Sequence, residues 1–203
     1  MSVLNRHAFP ALLGLALCCA VLTLWACTPR HLSEPLNGAA LEPPVQLQRL
    51  ALTRSDGGTF TTADTRGRLS LFFFGYTNCP DVCPLTLAEL TRMRRDLVAD
   101  AQNVDVYFIT LDPARDTPER MRAYLDNFPG VTGLSGSDAE LTEIESAFNI
   151  RSERRDTGSG NYSLDHTAAT YLVNAASQIQ LAYPYGTPAE DITSDLHQLL
   201  HNL

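Results

Sequence analysis

Two thiols stand four residues apart in Cys79-Pro80-Asp81-Val82-Cys83. On the first turn of a helix, 3.6 residues per turn would stack them on one face. That spacing permits a disulfide with little movement, or a shared metal ion. Open amides and the dipole at a helix N-terminus favour thiolates over thiols, and Pro80 and Pro84 stiffen the turn. The pair therefore reads as a structural disulfide, a redox dithiol, a metal site, or the last two in alternation. Soft sulfur ligands select Cu(I), Zn(II) or iron–sulfur clusters. A cluster asks for about four cysteines and a structural zinc site for four protein ligands. Two sulfurs completed by one imidazole make a three-coordinate set that suits copper better, the imidazole helping to hold the oxidised ion.

The chain has five histidines. His7 and His31 precede the region with core-forming composition. His197 and His201 lie one turn apart near the C-terminus, with no cysteine beside them in sequence, and read as a solvated helix face. His166, in Leu164-Asp165-His166-Thr167-Ala168-Ala169, sits where a polar loop runs into an apolar strand. Such a histidine is either structural or a ligand. Asp112, before Pro113, either ends a strand or places a carboxylate near the thiols. Tyr76 and Asp81 flank the thiols, and Asp81 is positioned to help cap a helix.

Positioning these groups requires a folded scaffold, and the pattern supplies one. Residues 45–53 alternate like a strand, and Ser55-Asp56-Gly57-Gly58 is a turn. The apolar run 69–76 reads as a strand buried on both faces. A helix is expected over 84–98, with Pro84 in its first turn and Leu85, Leu87, Leu90, Met93 and Leu97 near helical spacing. A second buried strand is expected over 104–111. A helix follows from Thr117-Pro118 to about 128, then another over 138–148. A polar loop or hairpin over 151–165, a strand pair over 167–174 and 178–183, and a closing helix over 188–200 complete the pattern. Strand–helix alternation with a terminal hairpin predicts an α/β fold, a central mixed β-sheet flanked by helices. A cysteine motif between the first central strand and its helix makes this thioredoxin-like, although the cysteines are spaced more widely than C-x-x-C.

The chain is 203 residues, 44% hydrophobic and 19% charged, with 15 basic and 23 acidic residues, a net charge of −8 and a pI near 5.0. This suits one globular domain and argues against a nucleic-acid partner, which normally meets a basic surface. Every basic residue is arginine; the absence of lysine excludes Schiff-base chemistry and a lysine-dependent phosphate loop. At the N-terminus, Arg6 precedes a nineteen-residue apolar stretch, 8–26. This is a secretory signal pattern, and it is also just long enough to span a bilayer. Leu24-Trp25-Ala26-Cys27 resembles a bacterial lipoprotein box with Cys27 as the lipidated residue. Trp25 is bulkier than that box usually admits, so an uncleaved transmembrane anchor stands beside lipidation. The expected organisation is signal or anchor over 1–27, a proline-rich tether over 28–44 and the domain over 45–203. Cys18 and Cys19 are then merely apolar, and the domain, outside the cytoplasm in an oxidising compartment, keeps the single pair Cys79 and Cys83.

Three segments carry a resemblance: Phe74-Gly75-Tyr76-Thr77-Asn78-Cys79-Pro80-Asp81-Val82-Cys83-Pro84, then Leu111-Asp112-Pro113-Ala114-Arg115-Asp116-Thr117-Pro118, then Asp165-His166-Thr167-Ala168-Ala169. Together they resemble the Sco/SenC family of copper chaperones, over about 45–200. The resemblance implies a thioredoxin-like fold anchored to the membrane and facing the periplasm or cell exterior of a bacterium. It implies copper, as Cu(I) or Cu(II), held by Cys79, Cys83 and His166, with Cys79 and Cys83 also able to form a disulfide. The implied role is delivery of copper, received from an upstream periplasmic donor, to the copper-bearing subunit of cytochrome c oxidase for its dinuclear centre. The alternative is a thiol–disulfide oxidoreductase that reduces the cysteines of a cuproprotein apo-site, with Cys79 the attacking thiol. A thiol peroxidase ranks below both, for want of an arginine-supported single peroxidatic cysteine.

Overall fold

The computed structural model describes residues 35–201. The expected export segment over 1–27, with His7, Cys18, Cys19 and Cys27, lies outside the described residues, as does His31. Among the described residues no helix is long and apolar enough to cross a membrane.

The centre is three parallel strands, β4 (Leu69–Gly75), β5 (Val104–Thr110) and β6 (Val131–Ser135), with Leu69 opposite Val104 and Val106 opposite Val131. Antiparallel strands extend the sheet on both sides: β9 (Ala169–Val173), β10 (Gln178–Pro184) and β1 (Ala39–Gln46) beyond β4, and β2 (Ala51–Arg54) and β3 (Thr59–Thr61) beyond β6. The order is β1-β10-β9-β4-β5-β6-β2-β3, and β7 (Ser152–Gly158) and β8 (Asn161–His166) form a separate two-stranded ribbon.

Side chains alternate across a strand, so β4 and β5 feed two cores. Leu69, Leu71 and Phe73 join Val104, Val106 and Phe108 on one face. Three helices cover that face: α1 (Val82–Asp96) through Leu87, Leu90 and Met93, α2 (Pro118–Leu125) through Met121, and α4 (Ala189–Leu200) through Ile192 and Leu196. Phe72, Phe74, Tyr107 and Ile109 face the other way, against Leu141 and Ile144 of α3 (Asp138–Ala147) and against Phe148. This is the expected mixed sheet between helical layers, and every residue of β4 is buried.

Three local expectations shift. Of the proline-rich tether expected over 28–44, residues 28–34 lie outside the described residues, and residues 39–44 belong to β1, which begins at Ala39 and pairs with β10. Its ladder is interrupted between Ala40 and Val45, around Pro43 and Pro44, because proline offers no amide hydrogen and is tolerated at a sheet edge. The single strand expected over 45–53 is accordingly two, the end of β1 and most of β2. Helix α1 starts at Val82, with Pro84 its third residue; an amide there has no intrahelical acceptor, so proline costs nothing. Asp81 occupies the cap position, but its side chain makes no capping hydrogen bond. For α2, by contrast, Thr117 Oγ1 accepts the Arg120 amide and Pro118 is the first helical residue, as expected. The short β6 and β3 were not anticipated; Gly133 interrupts the apolar pattern of β6.

Candidate metal centre

The thiols stand where β4 gives way to α1. Past Gly75 the chain turns, the Cys79 amide donating to the Tyr76 carbonyl at 3.2 Å. Asp116, only 1% exposed, holds this turn. Its carboxylate accepts the Thr77 amide (3.0 Å), the Thr77 hydroxyl (2.5 Å) and the Thr110 hydroxyl from the end of β5 (2.7 Å). Arg120 of α2 adds an outer brace, donating to Thr77 Oγ1 at 2.9 Å and Asn78 Oδ1 at 2.5 Å.

Cys83, in the first turn of α1, is fully buried, while Cys79 is partly exposed; both are free thiols. The Cys83 amide donates to Cys79 Sγ at 3.4 Å, as a helix N-terminus does toward an anion. His166, the last residue of β8, brings Nε2 to 3.6 Å from Cys83 Sγ. Its Nδ1 lies 3.1 Å from the Thr167 carbonyl, which can only accept, so Nδ1 carries the hydrogen and Nε2 is the atom left for the thiols. Ligating histidines are commonly oriented in this way. The two sulfurs and the ring nitrogen lie within 4.8 Å of one another, and among the described residues they are the one such group of three donors. Cys79 and His166 line a cleft of about 410 Å³ flanked by Pro80, Val82, Leu164 and Ala168, with Cys83 buried behind them.

The thiols are inequivalent. The hydrogen bond from Cys83 pulls Cys79 down to about 4 against the opposing effect of burial, with further lowering from His166 and the backbone amides of Asp81 and Cys83. Cys83 is pushed far up by the same shared proton and by its own burial. A group titrating near 4 is already thiolate throughout the neutral range. Alkylation of Cys79 by iodoacetamide in the metal-free protein should thus be nearly independent of pH between about 5 and 8, where an ordinary thiol gains close to tenfold per pH unit. A rate climbing steadily with pH over that range would show that Cys79 is not held as thiolate.

Gly75 makes the close packing possible. A Cβ there would lie 2.7 Å from Cys83 Sγ and 2.9 Å from a Phe108 ring carbon. Gly75→Ala should cost about 1–3 kcal/mol by overpacking, and should displace Cys83 so that its thiol reacts with an aromatic disulfide reagent without unfolding. Urea melts and thiol counting on the folded protein check both; wild-type stability with Cys83 still protected would contradict the fit.

The remaining sequence candidates fall as follows. Asp112 is 4% exposed, paired with Arg115 and accepting the Tyr162 hydroxyl at 2.7 Å, and is not among the three converging donors. It neither merely ends the strand nor joins the donor group. Tyr76 is buried, its hydroxyl accepting the Leu164 amide at 3.2 Å and its ring edge-on to His166. His197 meets Asp100, remote in sequence, at 2.9 Å and takes no part in the site, nor does His201. Gly75, Asp116, Arg115 and Tyr162 carried no assigned role beforehand. The first three lie inside the motif segments, but Tyr162 sits in a polar stretch without a local signal.

A strand-to-helix dithiol facing an imidazole at the edge of a mixed β-sheet flanked by helices defines a thioredoxin-like protein that presents soft donors to a metal ion. The chain belongs to the SCO1/SenC family, whose model matches residues 40–201. It is similar to the SCO2-like protein of Rickettsia prowazekii, 36% identical over 126 residues, which is 61% of this chain and 62% of that relative, so the match spans less than two thirds of its length. It is also similar to the structure of Bradyrhizobium japonicum ScoI with copper bound, at 35% identity and a TM-score of 0.71, covering 76% of this chain and 99% of that one. A SCO1/SenC family lipoprotein from Bacillus anthracis str. Ames gives a TM-score of 0.68 at 26% identity, with 79% and 99% covered.

Proposed function

We propose that this protein is a metallochaperone that binds copper through Cys79, Cys83 and His166 and delivers it to the dinuclear copper centre of cytochrome c oxidase during assembly. The observation that carries this reading is the convergence of two sulfurs and Nε2 of His166 within 4.8 Å. The copper-bound ScoI relative supports copper over other soft-ligand metals. In the metal-free state Cys79 already offers a thiolate, so the proton displaced by an incoming Cu(I) comes from Cys83. His166 Nε2 completes the set and favours Cu(II). Partly exposed Cys79 is the edge at which a thiolate of the receiving subunit attacks, exchanging ligands one at a time; the same edge admits copper from an upstream periplasmic donor. Residues 1–27 would anchor the domain to the membrane outside the cytoplasm, by lipidation at Cys27 or as an uncleaved span. The lipoprotein among the similar structures favours the former.

The test is copper titration of a soluble form beginning after Cys27. Bound Cu(II) should show intense sulfur-to-copper charge transfer, and Cys79→Ser/Cys83→Ser should abolish both this band and tight Cu(I) uptake. Undiminished uptake by the double variant would refute the ligand set.

A second reading, thiol–disulfide exchange with an apo-cuproprotein, is favoured by the contrast between the partly exposed, ionised Cys79 and the buried, protonated Cys83. Cys79 would attack the partner disulfide and release one partner thiolate. Cys83 would then displace the second, closing a Cys79–Cys83 disulfide, with His166 available as the proton acceptor. Reduction of an apo-oxidase domain by metal-free protein separates the two. If His166→Ala leaves this reaction intact while cells still lack assembled oxidase, copper delivery is the role that matters.

A further inference from the structure

His166 reaches the thiols from a poorly supported element. Strands β7 and β8 pair only with each other, and every residue of β7 is exposed. An isolated two-stranded hairpin is marginal in water, so the place of its last residue depends on what fastens it to the body. Along β8, Tyr162, Leu164 and His166 alternate onto one face. Each meets the domain: Leu164 packs against the core below α1 while its amide donates to Tyr76 Oη, and His166 faces Cys83. Tyr162 makes the densest attachment. Its hydroxyl donates to Asp112 Oδ1 at 2.7 Å, and its carbonyl accepts Arg115 Nη1 at 3.0 Å. Its ring lies between two guanidinium groups, Arg115 at 3.5 Å on the body and Arg154 at 3.6 Å on β7. Asp112 and Arg115 are themselves paired and mostly buried, in the loop that follows β5, so the anchor is rigid on the body side.

We propose that Tyr162 is the positioning residue for His166: its phenol, bonded to Asp112 and gripped by Arg115, fastens the hairpin and thereby fixes where the imidazole stands against the two sulfurs. The proposal rests on the reading of His166 as a copper ligand and extends it to the residue that controls the ligand. Tyr162 lies four residues up the strand, about 13 Å from His166 along β8, so it acts only through the strand. Because the thiols stand on α1 and its approach loop, loosening Tyr162 leaves them in place. The anchor therefore governs the imidazole contribution alone, which is felt by Cu(II) far more than by Cu(I).

Tyr162→Phe removes the hydroxyl and keeps the stacked ring. In the metal-free protein, hydrogen exchange of the β8 amides, Leu164 above all, should quicken about tenfold, as expected for loss of one charge-assisted hydrogen bond, while β4 and β5 amides keep wild-type protection. Titration with Cu(II) alone should show affinity about tenfold weaker, and competition for Cu(I) a change of less than about twofold. In a His166→Ala background the same substitution should not weaken Cu(II) further. Unchanged exchange in β8, a parallel fall in Cu(I) and Cu(II) affinity, or an equal Cu(II) loss with and without His166 would each overturn the proposal. Wild-type Cu(II) affinity in His166→Ala would overturn the ligand reading itself, and the metal-free exchange data tell that failure apart from failure of the anchor.

Discussion

Cys83→Ser should weaken Cu(I) binding by more than about 100-fold, beyond the ~10–100-fold typical of changes to groups that merely orient a ligand. Cu(I) is held by soft thiolates, and a serine oxygen is a hard, uncharged replacement. The burial of Cys83 sharpens the effect. Its sulfur lies below Gly75 and beside Phe108 with no exposed surface, so water cannot take the vacated coordination position without entering an apolar corner. Cys83→Ala, which leaves no side-chain donor, should lose the hydrogen bond that holds Cys79 as thiolate, so that Cys79 titrates upward toward the ordinary range. Competition against a calibrated Cu(I) chelator reads the first effect, and an ultraviolet thiolate titration of the alanine variant reads the second. A Cys83→Ser protein that binds Cu(I) as wild type, or a Cys83→Ala protein whose Cys79 still titrates near 4, would place the metal or the proton elsewhere.

Asp116→Ala should destabilise the metal-free domain by about 2–4 kcal/mol, the largest loss expected from any residue outside the hydrophobic cores near the site. Three donors converge on this carboxylate, and its removal strands the Thr77 amide, the Thr77 hydroxyl and the Thr110 hydroxyl at a site 1% exposed. Hydrogen bonds to a charged acceptor contribute about 1.5–3 kcal/mol each; relief from burying a charge offsets part of the total. Asp116→Asn, which keeps one acceptor oxygen, should fall between. Because Thr77 begins the turn that presents Cys79, both variants should also accelerate exchange of the 77–79 amides beyond the global effect. Urea melts at neutral pH measure the first effect and exchange the second. An alanine variant within about 0.5 kcal/mol of wild type would mean the turn is held by the Arg120 brace instead.

The legible parts of the architecture were those where one local pattern dominates. The continuous apolar run of β4 and the Thr117-Pro118 cap of α2 each announce their element from within a few residues. The strand β1 was hidden because Pro43 and Pro44 read as linker, and only β10, more than 130 residues away, supplies the partner that makes an edge strand of them. The short β6 was hidden for a like reason, since its parallel pairing with β5 lends an order that its five residues lack alone.

The donor set follows the same division. Residue type and spacing brought Cys79 and Cys83 together, since four residues is a local distance, but only Cys83 stands on the helix: α1 begins at Val82, and Cys79 lies in the turn before it. They also brought His166 forward, though only the three motifs taken together tied it to the thiols. What the chain order could not contain was inequivalence: that Cys83 is sealed under Gly75 while Cys79 faces the cleft, that Asp116 grips the turn from across β5, and that Asp112 serves a tyrosine fifty residues on instead of the sulfurs. Burial and long-range hydrogen bonds depend on which surfaces the closed sheet brings face to face, and no stretch of sequence carries that until the strands have paired.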